Sequence, residues 1–260
     1  MIKTSKPINI PHSRVNAIKF IHQFLEKTDV KGKIVIDLSA GRGYVASLWK
    51  KNGAEISAFD LYPELMENDE ILTQKIDLNK IFPIESGFAD YVLLMETIDH
   101  ISEQKQLFVE IARILKVGGS LILTKPNNSN ISGRIANLWL ESERGDMFLP
   151  NEKSVIGYDD QRIYMGRIFL IGVQKIRTLA ALSGLKIEKI YPNQVSVSSL
   201  LYFLLFGWFF YIRTYLTFKR ESKKQPLSSR EVIEEQYKLN QNPLVLFQKH
   251  LCVILKKASL

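Results

Sequence analysis

The stretch VIDLSAGRG, residues 35–43, predicts the architecture of the chain. Residues 33–38, KIVIDL, form a nearly continuous apolar run, which is typical of a parallel strand buried on both faces. The run contains an acidic residue, Asp37, and leads into a turn of small residues. Because Gly41 and Gly43 lack a Cβ, a ligand can approach their backbone closely and φ can become positive. A turn of this kind at the carboxyl end of a strand is where open α/β sheets bind nucleotides.

Strands and helices are predicted to alternate along most of the chain. Short apolar runs predict strands at 55–59, 74–77, 91–95, 121–124, 185–191 and 250–255, and periodic apolar residues predict helices at 13–28, 44–51, 103–115 and 173–182. This alternation indicates an α/β fold, a mostly parallel sheet with helices on both faces. Residues 127–161 are polar and rich in glycine and proline, which predicts loops and one short helix at 135–140.

The glycine turn by itself allows other interpretations. GRGYVA at 41–46 also satisfies the fingerprint of dinucleotide-binding proteins, and Asp60 lies where that fingerprint has its ribose-binding acid. A tight turn that binds no ligand is a further alternative. The later motifs decide between them. The second and third predicted strands end at acidic residues, Asp60 and Asp77. Three further motifs follow in order: FPIESGFADYV (82–92), METIDH (95–100) and RILKVGGSLILTKPN (113–127).

These ordered motifs, over about residues 30–130, resemble those of class I S-adenosylmethionine-dependent methyltransferases. That family has an acid before a glycine-rich turn, Leu-Pro-Phe…Phe-Asp-x-Val before strand four, Glu-x-x-Glu-His after it, and Leu-Lys-Pro-Gly-Gly before strand five. The chain departs from this pattern at Ser39, Asp99 and Val117, and Ala89 is an extra residue. A dehydrogenase has no reason to share the last three motifs. The resemblance implies a Rossmann-like, mostly parallel sheet with an antiparallel last strand.

The resemblance also implies S-adenosylmethionine as the cofactor. Asp60 would accept hydrogen bonds from both ribose hydroxyls, and Asp77 would bind the adenine amino group beside an apolar residue. The implied cofactor-binding residues lie after the first four strands: Asp37, Ser39, Ala40, Gly41, Gly43, Asp60, Leu61, Asp77, Leu78, Met95 and Glu96. No metal site is expected, because the four histidines lack ligand spacing.

His100 and Asp99 are the candidate catalytic residues, since they follow strand four near the expected position of the methyl group. A base there would take the proton of a hydroxyl acceptor. The alternative for His100 is a capping or packing role at the start of the next helix. The alternative for Asp99 and Glu96 is that they are first-turn helix acids, which the helix dipole favours.

The resemblance is to the small-molecule branch of the family, the methyltransferase type 11-like proteins. It implies a hydroxyl acceptor on a small molecule, a glycan or a lipid-linked intermediate. The net charge of +8 raises a nucleic-acid methyltransferase as an alternative. However, the Asn/Asp-Pro-Pro-aromatic motif of base-methylating enzymes is absent after strand four, and no basic strand carries interleaved aromatic residues, so nucleic acid is not the expected partner. A non-catalytic S-adenosylmethionine-binding module is the third possibility.

An apolar and then basic segment precedes the last predicted strand. We expect a methyltransferase domain over 1–192 and 249–260, and an insertion at 193–248. No charged residue occurs from Ile190 to Ile212, a length that could cross a bilayer. Because strands 185–191 and 250–255 should be neighbours, the chain must return to the side from which it left. Residues 195–224 are therefore predicted to contact the membrane peripherally, with tyrosine, tryptophan and basic residues near the headgroups. A re-entrant hairpin and a buried lid or dimer helix are the alternatives.

The expected location is the cytoplasm, with possible peripheral contact at the cytoplasmic face of the membrane. Cys252 is the single cysteine, which excludes an intrachain disulfide and suits a reducing compartment. Residues 1–11 lack the long apolar core of a secretory signal.

Overall fold

The computed structural model describes residues 15–142, 148–151, 153, 155–158, 161–164, 166–226 and 229–258. The expectations for residues 1–14 lie outside this part of the chain. The strands are β1 Ile34–Asp37, β2 Glu55–Asp60, β3 Thr73–Lys75, β4 Ala89–Met95, β5 Leu115–Pro126, β6 Val155–Tyr158, β7 Gln161–Tyr164, β8 Leu185–Tyr191 and β9 His250–Lys257. The helices are α1 Val15–Leu25, α2 Tyr44–Lys51, α3 Gln104–Ile114, α4 Ile131–Leu140, α5 Val173–Leu182, α6 Val197–Lys224, α7 Arg230–Asn240 and α8 Pro243–Leu246.

Seven of the strands form one sheet in the order β3-β2-β1-β4-β5-β9-β8. β1 pairs in parallel with β2 and β4, β2 with β3, and β4 with β5. β8 and β9 pair antiparallel. The predicted mostly parallel sheet with an antiparallel last strand is therefore confirmed, as is the expectation that strands 185–191 and 250–255 are neighbours.

The first of two compact units comprises residues 1–125, 179–193 and 252–260. Its central strands are buried on both faces, which explains why their sequences are apolar almost throughout. On one face α1 and α2 bring an aromatic cluster to the sheet. The ring centroids of Phe24 and Trp49 are 5.7 Å apart, and those of Trp49 and Tyr91 are 5.2 Å apart. This core fixes β1 and β4, so the residues that follow these two strands have defined positions.

The second compact unit comprises residues 126–178 and 194–251. Its longest element is α6, and α7 runs back along it: the rings of Phe218 and Tyr237 stack at 4.4 Å, and Asn240 lies 3.4 Å from the Thr214 hydroxyl. Because α6 is one continuous helix of 28 residues, the alternative of a re-entrant hairpin within the apolar stretch is wrong. Residues 126–178 also belong to this unit, so the unit is larger than the insertion expected at 193–248. The bounds of that insertion remain a prediction.

Three regions of the chain differ from the prediction. The 127–161 region contains strand β6, which pairs with β7 in a hairpin where only loops were expected. Helix α4 begins at Ile131, four residues earlier than predicted, because the Asn130 side chain caps it by accepting a hydrogen bond from the Gly133 N–H at 2.8 Å. The region between 219 and 249 forms α7 and α8, which the sequence analysis did not predict.

Candidate functional site

The turn after β1 is held against the end of β4. Asp37 is fully buried, and its carboxylate accepts a hydrogen bond from the Ser39 N–H at 3.1 Å. The Ser39 hydroxyl accepts a hydrogen bond from the Met95 N–H at 2.9 Å and lies 3.4 Å from the Met95 carbonyl oxygen. The serine that replaces the usual glycine of this turn therefore joins two strand ends, and its hydroxyl is engaged by the backbone.

The Asp60 carboxylate, at the end of β2, positions the glycine turn. One oxygen accepts a hydrogen bond from the Gly41 N–H at 2.8 Å, and the other accepts one from the Tyr62 N–H at 3.0 Å. Gly41 and Gly43 have φ values of 51° and 82°, which favour glycine. Each oxygen of an ionised carboxylate has two lone pairs, so Asp60 retains capacity to accept hydrogen bonds from a ligand.

Asp77 lies two residues beyond β3 and does not end it as predicted, since β3 stops at Lys75. The backbone N–H of Asn79, 3.0 Å from the carboxylate, is the main reason that the pKa of Asp77 is below its ordinary value. The Asn79 side-chain oxygen in turn accepts hydrogen bonds from the N–H and hydroxyl of Ser102, both within about 3.1 Å. Asn79, which the sequence analysis missed, thus joins the loop after β3 to the start of α3.

The two leucines predicted to accompany Asp60 and Asp77 have different surroundings. Leu78 is buried, and Leu61 is 42% exposed. Of these two side chains, that of Leu61 is the accessible one.

The backbone at the end of β4 is in an unusual conformation. Glu96 has φ of 58°, in the left-handed region that costs a non-glycine residue free energy. Its N–H donates to the Thr124 carbonyl oxygen at 2.8 Å, and the Thr97 hydroxyl donates to the Met95 carbonyl oxygen at 2.9 Å. These hydrogen bonds hold the conformation, which directs the chain away from the sheet directly after β4. Glu96 was predicted as a site residue, but its residue type gives no indication of this conformation.

Asp99 is buried as one partner of an ion pair. Its carboxylate lies 3.1 Å from the Lys125 ammonium, and the two side chains are 2% and 1% exposed. Asp99 lies in the first turn of a 3₁₀ helix, Ile98–His100, whereas Glu96 precedes it; α3 begins only at Gln104 and has no acidic residue in its first turn. The pairing favours a structural role for Asp99, as the counterion of Lys125, over the expected catalytic one. Lys125 was not predicted as part of the site, because nothing in the sequence indicates its partner.

His100 is half-buried and ends a 3₁₀ turn that spans Ile98–His100. Its backbone N–H donates to the Thr97 carbonyl oxygen at 2.9 Å. Glu103 is the residue that precedes α3, so the capping alternative for His100 is wrong. A catalytic role and a packing role remain.

Two further observations limit the chemistry of the described part of the chain. Within it, no group of three or more His, Cys, Asp or Glu side chains is arranged to hold a metal ion. Burial raises the pKa of the Cys252 thiol well above its ordinary value, with a smaller contribution from the charge of Glu96. The thiol therefore stays protonated near neutral pH and is a poor nucleophile.

A family model described as a methyltransferase domain matches residues 12–190, more than half of the chain. The chain belongs to this methyltransferase family. The match spans β1 to β5 and the motifs after them, so the oxidoreductase interpretation of the glycine turn is excluded. The predicted methyltransferase fold and family are therefore confirmed, and S-adenosylmethionine is the cofactor that the family implies.

Known proteins agree with this assignment. A ubiquinone biosynthesis O-methyltransferase of Xanthomonas oryzae pv. oryzae (strain PXO99A) is 27% identical over 112 residues, which are 40% of this chain and 47% of the relative. The chain thus spans about half the length of the curated relatives that it matches. An S-adenosylmethionine-dependent methyltransferase of Mesorhizobium loti superposes with a TM-score of 0.51 at 13% identity, over 90% of this chain and 96% of that one. For a methyltransferase of Archaeoglobus fulgidus the TM-score is 0.52 at 13% identity, over 93% of each chain. At these identities the structural likeness concerns the fold.

Proposed function

We propose that the cofactor binds along the carboxyl edge of β1 to β4. The observation that carries the proposal is a pair of hydrogen bonds between strand ends, from the Met95 N–H to the Ser39 hydroxyl and from the Gly41 N–H to the Asp60 carboxylate. With them, the acidic residues at the ends of β1 and β2, Asp37 and Asp60, are bonded to a turn whose backbone a ligand can approach. The proposed contacts are Asp37, Ser39, Ala40, Gly41, Gly43, Asp60, Leu61, Asp77, Leu78, Met95 and Glu96. Ser39 contributes through its backbone, because its hydroxyl is engaged by β4.

The chemistry of these side chains fits the groups that the cofactor presents. The ribose hydroxyls are hydrogen-bond donors, and the Asp60 carboxylate has free lone pairs to accept from them. The adenine amino group is a donor as well, and Asp77 is kept ionised by its low pKa. S-Adenosylmethionine supplies an activated methyl group when it is bound.

We further propose that the enzyme methylates a hydroxyl group of a small-molecule, glycan or lipid-linked acceptor. The curated relatives are named as O-methyltransferases, which supports oxygen as the acceptor atom. Bound S-adenosylmethionine would supply the methyl group to the acceptor oxygen, and the imidazole of His100 would take the hydroxyl proton. Catalysis then rests on alignment of the acceptor and on this proton transfer.

Mass spectrometry of cell extracts incubated with the enzyme and a deuterium-labelled methyl donor tests this proposal. We expect the label in a hydroxyl-bearing small molecule, glycan or lipid fraction. Label in nucleic acid would contradict it, and so would cofactor binding without label in any fraction, which is the behaviour of a non-catalytic module.

The role of His100 is tested on the acceptor fraction so identified. His100→Ala should lower turnover by about a hundredfold or more while the Kd for S-adenosylmethionine stays the same. His22→Ala, which removes an exposed histidine of α1, is the matched control and should retain full turnover. If His100→Ala retains most of its activity and loses only thermal stability, the packing role is correct.

We also propose that α6 associates with the cytoplasmic face of a membrane without crossing it. The helix is long and apolar enough to span a bilayer, and only 11% of its most apolar window is buried. Large apolar residues are exposed along it, from Leu200 to Leu216. Arg213 and the basic residues up to Lys224 follow, which suits an anionic surface. A single crossing would separate β8 from β9, which are neighbours in the sheet.

Flotation with anionic liposomes tests this membrane proposal. The protein should float with the vesicles, and a double variant, Leu204→Glu with Trp208→Glu, should remain at the bottom of the gradient, since both side chains are mostly exposed on α6. Leu72→Glu is the matched control: Leu72 is 81% exposed but lies in the first unit, so this variant should float. A wild-type protein that stays at the bottom, soluble and monodisperse without detergent, would mean that α6 is a lid or a dimer helix.

A further inference from the structure

Within the second unit, helices α4, α6 and α7 line a groove with a volume of about 910 Å³, which we call the α4/α6/α7 groove. This volume is at the upper end of the range for small-molecule sites, about 300–1,000 Å³. The groove follows α6 from Tyr202 to Gln225, so it is elongated and suits a chain-like ligand. All of its described lining residues belong to the second unit.

One half of the groove is apolar. Trp139 and Tyr202 meet edge to face with ring centroids 5.8 Å apart, and Phe203 and Phe206 continue this wall along α6. Leu138 also lines the groove and is 80% exposed. Apolar side chains arranged around a groove and open to solvent favour an apolar ligand, because such a ligand removes their surface from water.

Two arginines also line the groove, Arg134 on α4 and Arg213 on α6. The Arg134 guanidinium donates to the Ser129 carbonyl oxygen at 2.7 Å, reaches the Asn240 carbonyl oxygen at 3.4 Å, and lies 4.9 Å from the centre of the Phe210 ring. Arg213 is three residues beyond Phe210, so the two share one face of α6. Among the described residues neither arginine has a carboxylate within salt-bridge distance.

The charge of Arg134 persists in the groove. Burial lowers the pKa of its guanidinium to about 10, so the group remains cationic at neutral pH. A half-buried guanidinium held only by carbonyl oxygens and an aromatic ring favours an anionic ligand. Phosphate suits it well, because guanidinium groups bind phosphate oxygens through paired N–H donors.

Gln174 adds a polar contact to the groove. Its amide nitrogen donates to the Gln236 carbonyl oxygen at 2.8 Å, and its side-chain oxygen is buried without a hydrogen-bond partner among the described residues. A buried acceptor without a donor is unfavourable, so a ligand hydroxyl at this position would stabilise the site.

We infer that the α4/α6/α7 groove binds one molecule of a single-chain lipid phosphate. The apolar chain lies against Trp139, Tyr202 and Phe206, and the phosphate lies between Arg134 and Arg213. On α6 the basic residues begin at Arg213, and of the exposed large apolar residues only Tyr215 and Leu216 lie beyond it, so Arg213 is near the level at which the helix changes from apolar to charged. The inference goes beyond the proposed methyl transfer, since it concerns binding alone.

Fluorescence titration with decyl phosphate tests the inference without vesicles, cofactor or acceptor. Of the three tryptophans, Trp49 is buried in the first unit, Trp139 lines the groove, and Trp208 is exposed outside its lining. In a Trp208→Phe protein, decyl phosphate should therefore give a saturable blue shift from Trp139. 1-Decanol should bind at least about tenfold more weakly, since it lacks the charge. Inorganic phosphate should give no shift.

Arginine variants in the same Trp208→Phe background locate the phosphate. Arg213→Gln should weaken decyl phosphate binding at least about tenfold. Arg220→Gln is the matched control, because it removes an equal charge from the same helix outside the groove, and it should change binding less than about twofold. Arg134→Gln should weaken binding as well, and its melting curve shows whether the variant is folded.

Three results would overturn the inference: equal binding of decanol and decyl phosphate, equal losses for Arg213→Gln and Arg220→Gln, or no saturable shift. None of them depends on flotation or on methyl transfer, so a failure here is distinguishable from a failure of the proposed function.

Discussion

The carboxyl edge of the sheet and the helix α6 use their side chains in opposite ways. At the edge, polar side chains are held by the chain itself: each oxygen of Asp60 accepts a backbone N–H, and Asp99 pairs with Lys125 in the interior. On α6, large apolar side chains are left in solvent, and Leu204 is 79% exposed. The first region is therefore explained by contacts inside the protein, whereas the second requires a ligand or a surface outside it.

The largest effect is expected from breaking the buried ion pair. Asp99→Ala leaves the Lys125 ammonium buried without its counterion, which should lower the free energy of unfolding by about 3–5 kcal/mol in urea titrations. The double variant, Asp99→Ala with Lys125→Met, should recover much of that loss, because it removes the unpaired charge as well.

The matched control for this prediction is the exposed pair between Lys256 and Glu188, at 3.5 Å. Glu188→Ala should cost less than about 1 kcal/mol, since surface ion pairs contribute little. Equal losses for Asp99→Ala and Glu188→Ala would show that burial does not distinguish the two pairs.

The next effect concerns the cofactor. Asp60→Ala should remove two charge-assisted hydrogen bonds to the ribose, each worth about 1.5–3 kcal/mol, and release the Gly41 N–H as well. Calorimetry should then show S-adenosylmethionine binding weakened about a hundredfold or more. Glu67→Gln breaks the exposed pair with Arg42 beside the same turn and should change the Kd less than about twofold. Tight binding of NAD by the wild-type protein, with no response to S-adenosylmethionine, would contradict the cofactor site.

Much of the edge could be predicted from sequence because its signals are local. A buried run ending in an acid and followed by small residues predicts a strand, a carboxylate and a turn together, as at residues 35–43. Since the carboxyl ends of parallel strands meet at one edge, the positions of Asp37 and Asp60 followed from the order of the strands.

The remaining features depend on contacts between distant residues. Nothing near Ser39 indicates that its hydroxyl binds the Met95 N–H, and nothing near Asp99 indicates Lys125 as its partner. The left-handed conformation of Glu96 results from hydrogen bonding to β5 and has no signature in its residue type. In the second unit, the apolar stretch that forms most of α6 was recognised from its composition, but the continuation of the helix to Lys224 and the polar helix α7 were not predicted.

A smaller, pH-dependent effect on the free energy of unfolding is expected from Glu110, whose side chain binds the segment before β4. Glu110 accepts a hydrogen bond from the Phe82 N–H at 2.8 Å and pairs with Arg113 at 2.7 Å. The hydrogen bond from Arg113 is the main reason that the pKa of Glu110 is below its ordinary value. Because the folded-state pKa is lowered, this stabilisation is present above the unfolded value of about 4.3 and is lost as the pH falls through the folded value.

Glu110→Gln should therefore lower the free energy of unfolding by about 1.5 kcal/mol at pH 7 and by less near pH 3. Urea titrations at the two pH values measure the difference. Glu26→Gln, at an exposed position directly after α1, should show no such pH dependence. A Glu110→Gln loss that is constant from pH 7 to pH 3 would show that the charge of Glu110 is not what stabilises this segment.

The smallest effect on stability is expected for a substitution on α6. It tests directly whether the apolar side chains of α6, unlike those of the sheet, are exposed in solution. If the exposed apolar face of α6 serves an external surface, Leu204→Ala should change the free energy of unfolding by no more than about 0.5 kcal/mol, as for other exposed positions. The same change at Leu93, fully buried in β4, should cost about 2–5 kcal/mol, because it leaves a cavity in the core. A loss at Leu204 as large as that at Leu93 would mean that α6 is packed inside the protein in solution, for example against a second copy of the chain. Urea titrations at two protein concentrations separate these cases, since only an interface between copies makes the unfolding midpoint depend on concentration.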